Sequence, residues 1–171
     1  MSKVETSEHY KRYVDNIKTG DIVVFSATKI KDISSFFSYI VRLFTMSEYN
    51  HIGVVWVTNG RHFVIEAQIP EVKITPLKNM GEFYHIPMDL IVNEEHLELL
   101  FEKIGEPYSM FEAVRAYFKK NNTDNHNWIC VELIDYFLFI MDVKIGKIYT
   151  PSDVVRKLIQ QFNKQLVYVQ N

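Results

Sequence analysis

Three residues of this 171-residue chain could do nucleophilic chemistry together: His51, Glu66 and the single cysteine, Cys130. An imidazole beside a carboxylate is a base whose tautomer and orientation are set by its partner. A thiol within reach of that base is an activated nucleophile. The three types together suit attack on a carbonyl carbon, with Cys130 as nucleophile, His51 as general base and acid, and Glu66 fixing the imidazole and stabilising its cationic form. Taken singly, each has a plain explanation, because a buried lone cysteine is usually a small hydrophobe and a buried histidine is usually a core residue. The case rests on where the elements put them.

A turn places the first two. Two strand-like runs, Asn50 to Thr58 and Arg61 to Ala67, meet at Asn59-Gly60, and Asn-Gly between β-branched and aromatic runs is the strongest short-range hairpin signal. With those two residues in the turn, Thr58 faces Arg61, and counting back sets Gly53 opposite Glu66 and His51 opposite Gln68. One face then carries Ile52, Val54, Trp56, Phe63, Ile65 and Ala67. The other carries His51, Gly53, Val55, Val57, His62, Val64, Glu66 and Gln68. His51 and Glu66 are diagonal neighbours, roughly 7–8 Å apart at the backbone, and Gly53 leaves the space between them open.

Helical spacing places the third. Over Trp128 to Met141 the residues Cys130, Leu133, Ile134, Phe137, Leu138 and Met141 fall on one stripe, so the thiol lies at the start of a face that must cover the sheet. With Asn127 as N-cap, Cys130 sits in the first turn, where unpaired N–H groups and the helix dipole favour a thiolate. The expectation is a sulfur held over the imidazole-bearing side of the sheet. The oxyanion would be met by the Cys130 N–H and one further donor, for which Tyr49 and Asn127 are the candidates.

The remaining elements form the scaffold. Residues 4–17 suit an amphipathic lead-in helix with Tyr10, Tyr13, Val14 and Ile17 near one face, and Thr19-Gly20-Asp21 turns into a buried strand, Ile22 to Phe25. Asp32 to Thr45 is an aromatic-rich helix that packs on the sheet, and Phe36 and Tyr39 on it could also wall a substrate groove. Val72 to Leu77 and Phe83 to Ile86 read as further antiparallel strands, separated by a turn around 79–81. Helices follow over Asn93 to Ile104 and Met110 to Lys120, then a polar loop over 121–127. A last helix runs from Pro151 to Phe162, and Leu166 to Val169 returns as an edge strand.

Composition bounds the function. Hydrophobic residues at 47%, charged ones at 23% and a net charge of -2 describe an ordinary globular chain, long enough to bury about two-thirds of its unfolded surface as one domain. Dispersed lysines argue against a nucleic-acid partner. One cysteine excludes an intramolecular disulfide and fits a reducing, cytoplasmic setting. No signal peptide is visible, and the longest apolar run, 133–143, is too short for a span of about 20 residues, which leaves only peripheral membrane contact open. No cofactor is called for. A metal site built from His51, Glu66, Cys130 and another histidine has no supporting spacing; His9, His62, His85, His96 and His126 read as surface or structural.

Four segments carry a resemblance: Gly20-Asp21-Ile22-Val23-Val24-Phe25, Tyr49-Asn50-His51-Ile52-Gly53-Val54-Val55, Val64-Ile65-Glu66-Ala67 and Trp128-Ile129-Cys130-Val131-Glu132-Leu133. In this order they resemble the circularly permuted papain-like fold of the NlpC superfamily, nearest the YiiX-like amidases and their poxvirus relatives. Gly105-Glu106-Pro107-Tyr108 and Thr150-Pro151-Ser152-Asp153 are similar to recurring segments of the same group. The resemblance covers about residues 18–160 of a single domain spanning 1–171. It implies an α+β fold in which an antiparallel sheet packs against helices including the nucleophile helix, and a Cys130-His51-Glu66 triad. Relatives commonly carry a small residue, often serine, where this chain has Val131; Glu132 matches a frequent acidic position and reads as structural.

The implied activity is a cysteine amidase or peptidase acting on a small peptide amide. The alternatives are an acyltransferase or thioesterase on lipid esters, to which an aromatic helix over 36–44 is suited, and a non-catalytic binding or virion-associated protein on the same fold. A viral origin would set it in the host cytoplasm or the virion.

Overall fold

The computed structural model describes residues 13–26, 48–108 and 128–170. Its centre is a six-stranded antiparallel sheet of β1 (Ile22–Phe25), β2 (His51–Thr58), β3 (Arg61–Gln68), β4 (Glu71–Pro76), β5 (Phe83–Ile86) and β6 (Val167–Val169), in the order β4-β3-β2-β1-β5-β6. Three helices belong to the described residues: α1 (Glu94–Phe101), α2 (Cys130–Ile140) and α3 (Pro151–Phe162). The architecture is α+β.

The β2–β3 hairpin has the register set by its turn. Thr58 pairs with Arg61, Trp56 with Phe63 and Val54 with Ile65, and both turn residues have positive φ, Asn59 at 48° and Gly60 at 68°, as a type I′ turn requires. Strand β4 extends the sheet on one side. A short 3-10 turn, Leu77–Asn79, then carries the chain across to β5, which pairs with β1 rather than with β4.

Both faces of the sheet are buried. Ile22, Val24, Ile52, Val54, Ile65 and Ala67 meet the stripe of α2 (Leu133, Ile134, Phe137, Leu138) and Val154 and Leu158 of α3. On the opposite face Val23, Phe25, Val55 and Val64 pack with Ile17, Leu77, Phe83 and Val169, and Tyr13 and Val14 lean on this cluster. Each fully buried aliphatic side chain contributes about 1.5–3 kcal/mol, so the two faces hold the sheet between them. The start of α3 is fixed by a reciprocal cap, with Thr150 Oγ1 accepting from the Asp153 N–H at 3.1 Å and Asp153 Oδ2 accepting from the Thr150 N–H at 3.2 Å.

Tyr13 and Val14 are helical and Asp15 and Asn16 form the turn that follows, with the Asn16 N–H bonded to the Tyr13 carbonyl and the Ile17 N–H to the Val14 carbonyl. The earlier part of the expected lead-in helix, the helix over 32–45 with Phe36 and Tyr39, the helix over 110–120 and the loop that ends at Asn127 lie outside the described residues.

Candidate functional site

His51 opens β2 and Glu66 lies near the end of β3, so both stand at one end of the sheet. Gly53 lies between them. A Cβ there would overlap Val64 Cγ1 and come within 3.0 Å of the Ile65 carbonyl oxygen, so only glycine lets the strands close up. His51 Nε2 donates to Glu66 Oε2 at 2.5 Å, and Thr75 Oγ1 donates to the other carboxylate oxygen, also at 2.5 Å. Phe25, paired with His51 across β1 and β2, stacks on the imidazole at 5.8 Å between centroids. Glu66 is 1% exposed and the His51 side chain 13%. A buried carboxylate is tolerated only when paired and hydrogen-bonded in this way.

Burial by itself would raise the Glu66 pKa, but the hydrogen bond from His51, the imidazolium charge, Thr75 and Lys73 outweigh it and hold the carboxyl below its ordinary value of 4.5. Burial likewise pulls His51 down. Hydrogen bonds to the Cys130 thiol and to Glu66, with the charges on both, win and raise the imidazole to about 10. At neutral pH the pair is therefore an imidazolium against a carboxylate.

Cys130 is the first residue of α2 and is 8% exposed. Nε2 is engaged by Glu66, so Nδ1 is the ring nitrogen left for the sulfur. One expectation needs correction. Helix α2 does not cover the imidazole-bearing face; it packs on the opposite one, against Ile52, Val54, Ile65 and Ala67. Cys130 acts on the imidazole from the end of the sheet, where β2 begins. What brings the start of α2 there is the segment 105–108. The Tyr108 N–H bonds to the Pro70 carbonyl and the Trp128 N–H to the Pro107 carbonyl, which ties the residues before α2 to the β3–β4 turn. Asn127 is not the N-cap either: Ile129 occupies that position, and its N–H is satisfied by the Glu132 carboxylate at 3.0 Å, a structural role for Glu132.

Tyr49 is buried in the same apolar cluster as Cys130, with its ring edge-on to Tyr84 at 5.3 Å. Two residues of the neighbourhood escaped the sequence reading. Thr75 could have been found by counting from Ile69-Pro70, since Gln68 pairs with Glu71 and the register runs on to Val64 opposite Thr75. Tyr108 feels burial first and then the charges of Cys130 and Glu132, all of which drive its phenol upward, so it stands protonated on the sulfur's side. No periodicity signalled it.

The other described histidines are structural. His62 Nε2 donates to the Ile17 carbonyl at 3.2 Å, and His96 closes the cap of α1 with Asn93. His85 is 4% exposed and bonded on both nitrogens, to Asp21 and to Tyr13. Beside the His51–Glu66 pair lies a cavity of about 300 Å³, bordered by Phe25, Asn50, Gln68, Lys73 and Glu82 as well as the pair itself. Among the described residues no cluster of three or more histidine, cysteine, aspartate or glutamate side chains is disposed to hold a metal ion, and no helix is long and apolar enough to cross a membrane.

No protein-family model matches the chain, and no curated protein does. A solved structure does match: the metalloprotein YiiX from Escherichia coli O157:H7, with a TM-score of 0.52 at 21% identity over 90% of this chain and 88% of that one. The fold is YiiX-like. At this identity the likeness speaks for the six-stranded sheet and its helices and not for the chemistry at their end.

Proposed function

We propose that the protein is a cysteine hydrolase of the permuted papain-like type, cleaving an amide bond through Cys130, His51 and Glu66. The observation that carries this reading is the imidazole of His51, hydrogen-bonded to a buried carboxylate and near enough to the Cys130 sulfur for that group to raise its pKa. Cys130 attacks the carbonyl carbon as the thiolate, its proton held by His51, to form a tetrahedral intermediate. His51, protonated at neutral pH, then gives its proton to the departing nitrogen, leaving a thioester on Cys130. Water, deprotonated by His51, attacks the thioester and releases the acid and the Cys130 thiolate, with His51 protonated again. Glu66 keeps the ring in the productive orientation, and Thr75 keeps Glu66 in place. The Cys130 N–H, at the first helical position where no intrahelical acceptor exists, and the Tyr108 hydroxyl are the donors best suited to the oxyanion. The same reading sets the protein in a reducing compartment such as the cytoplasm, where a lone thiol stays reduced.

YiiX carries the description of a metalloprotein. The described residues around His51 supply no three-ligand cluster to hold such an ion. A panel of fluorogenic amides and esters tests the proposal, read in the wild type, in Cys130→Ala and after chelation. Turnover that falls at least about 10³-fold in Cys130→Ala and survives the chelator is expected. Turnover that survives Cys130→Ala and is lost with the chelator would overturn the thiol mechanism.

A further inference from the structure

Cys130 is carried by a helix that packs on one face of the sheet, while its base stands on a strand and faces the other. Their meeting depends on where the start of α2 lies along the helix's own axis. The apolar stripe of α2 fixes which side of the helix faces the sheet, but successive turns of that stripe are alike, so it sets the axial position only weakly. A displacement of about 1 Å at a reacting group costs up to about 10²-fold in rate. Contacts other than the stripe must hold α2 in place.

The tract from Lys103 to Tyr108 supplies them. Its backbone is laced to β4, with the Gly105 N–H bonded to the Val72 carbonyl at 2.9 Å and the Val72 N–H to the Glu106 carbonyl at 2.8 Å. Pro107 then accepts from the Trp128 N–H at 2.9 Å, just ahead of Ile129 and Cys130. Those bonds fix the main chain. The Trp128 side chain is met by Lys103, whose ammonium lies 5.8 Å from the centre of the indole and 5.1 Å from the centre of the Tyr136 ring. The two rings meet edge-on at 5.5 Å, and Tyr136 belongs to α2 itself. All three residues are half-buried, and partial desolvation strengthens the attraction of a cation to an aromatic face. Among the described residues no ion pair involves Lys103, so the rings are what answer its charge.

We propose that Lys103 is a positioning residue for the nucleophile: its ammonium, held by Trp128 and Tyr136, fixes the start of α2 along its axis and so keeps Cys130 within reach of His51. The role rests on the hydrolase reading, because only a thiol that must act with an imidazole needs this placement.

Alkylation of Cys130 by iodoacetamide at pH 7, read per folded molecule, tests the role without a substrate. Lys103→Met keeps an apolar stem and removes the charge, and a rate about tenfold below wild type is expected. Lys103→Arg, which also stacks on aromatic faces, is expected to return the rate to within about twofold. Tyr136→Leu removes a ring and leaves the charge, and should fall as far as Lys103→Met; Tyr136→Phe keeps the ring and should match wild type. His51→Ala in the same series reports on the hydrolase reading. A rate that falls in His51→Ala and is unchanged in Lys103→Met overturns the positioning role alone. A fall in Lys103→Met that Tyr136→Leu does not share, or that Lys103→Arg does not repair, also overturns it, since the clamp is then not what acts. Equal rates in wild type, His51→Ala and Lys103→Met overturn the hydrolase reading and the positioning role together.

Discussion

The sheet carries two histidine–carboxylate pairs on one face, and they are built differently. His51 meets Glu66 at 2.5 Å and His85 meets Asp21 at 2.9 Å, each through Nε2. The second pair is closed. His85 Nδ1 accepts from the Tyr13 hydroxyl at 2.9 Å, and the two Asp21 oxygens also take the backbone N–H groups of Lys18 and Met88. Burial and the Asp21 charge raise the Tyr13 phenol, so it stays a donor and never becomes a base. At the first pair no second side chain closes the ring in the same way; the Cys130 thiol lies near enough to raise the imidazole pKa, and a cavity opens alongside. A buried imidazole with a carboxylate is thus common to a structural pin and a candidate reaction centre. The difference lies in the group on the other ring nitrogen and in access to it.

Substitutions should separate the two. The largest effect is expected for Glu66→Gln, which keeps the shape of the first pair but removes its charge; kcat should fall about 10³-fold. A fall of less than tenfold would make Glu66 a packing residue. Asp21→Ala should instead cost about 3 kcal/mol in urea unfolding, because two N–H groups and His85 lose a buried acceptor, while turnover per folded molecule stays unchanged. Thr75→Val sharpens the comparison at its smallest scale, with about 1 kcal/mol of stability lost and a several-fold drop in kcat.

The first pair also predicts a pH window. His51 is raised from 6.5 to about 10, so its contribution is whole below 6.5 and lost as pH climbs through 10. Glu66 is lowered, so its contribution is whole above 4.5 and lost as pH falls. The wild-type stability advantage over a His51→Gln, Glu66→Gln double variant should peak between those two values. An advantage that is flat across pH 5 to about 10 would show that the pair is not ionised.

The sequence made some of this legible. Asn59-Gly60 set the hairpin register and with it the common face of His51 and Glu66, and Pro151-Ser152-Asp153 marked the start of α3. The stripe from Cys130 to Leu138 placed the thiol in the first turn of α2. The face that α2 would cover was not legible, because Val55 and Val64 make the imidazole-bearing side nearly as apolar as the other. Alternation cannot choose between two buried faces. The pairing of His85 with Asp21 was hidden for a different reason: no tight turn joins β1 to β5, so nothing local fixes their register.

Alkylation of Cys130 by iodoacetamide at pH 7 tests the central claim most directly, compared among wild type, His51→Ala and His85→Ala. The account predicts a rate that falls about 10²-fold in His51→Ala and is unaltered in His85→Ala for the folded protein. A rate that is the same in all three proteins would contradict it.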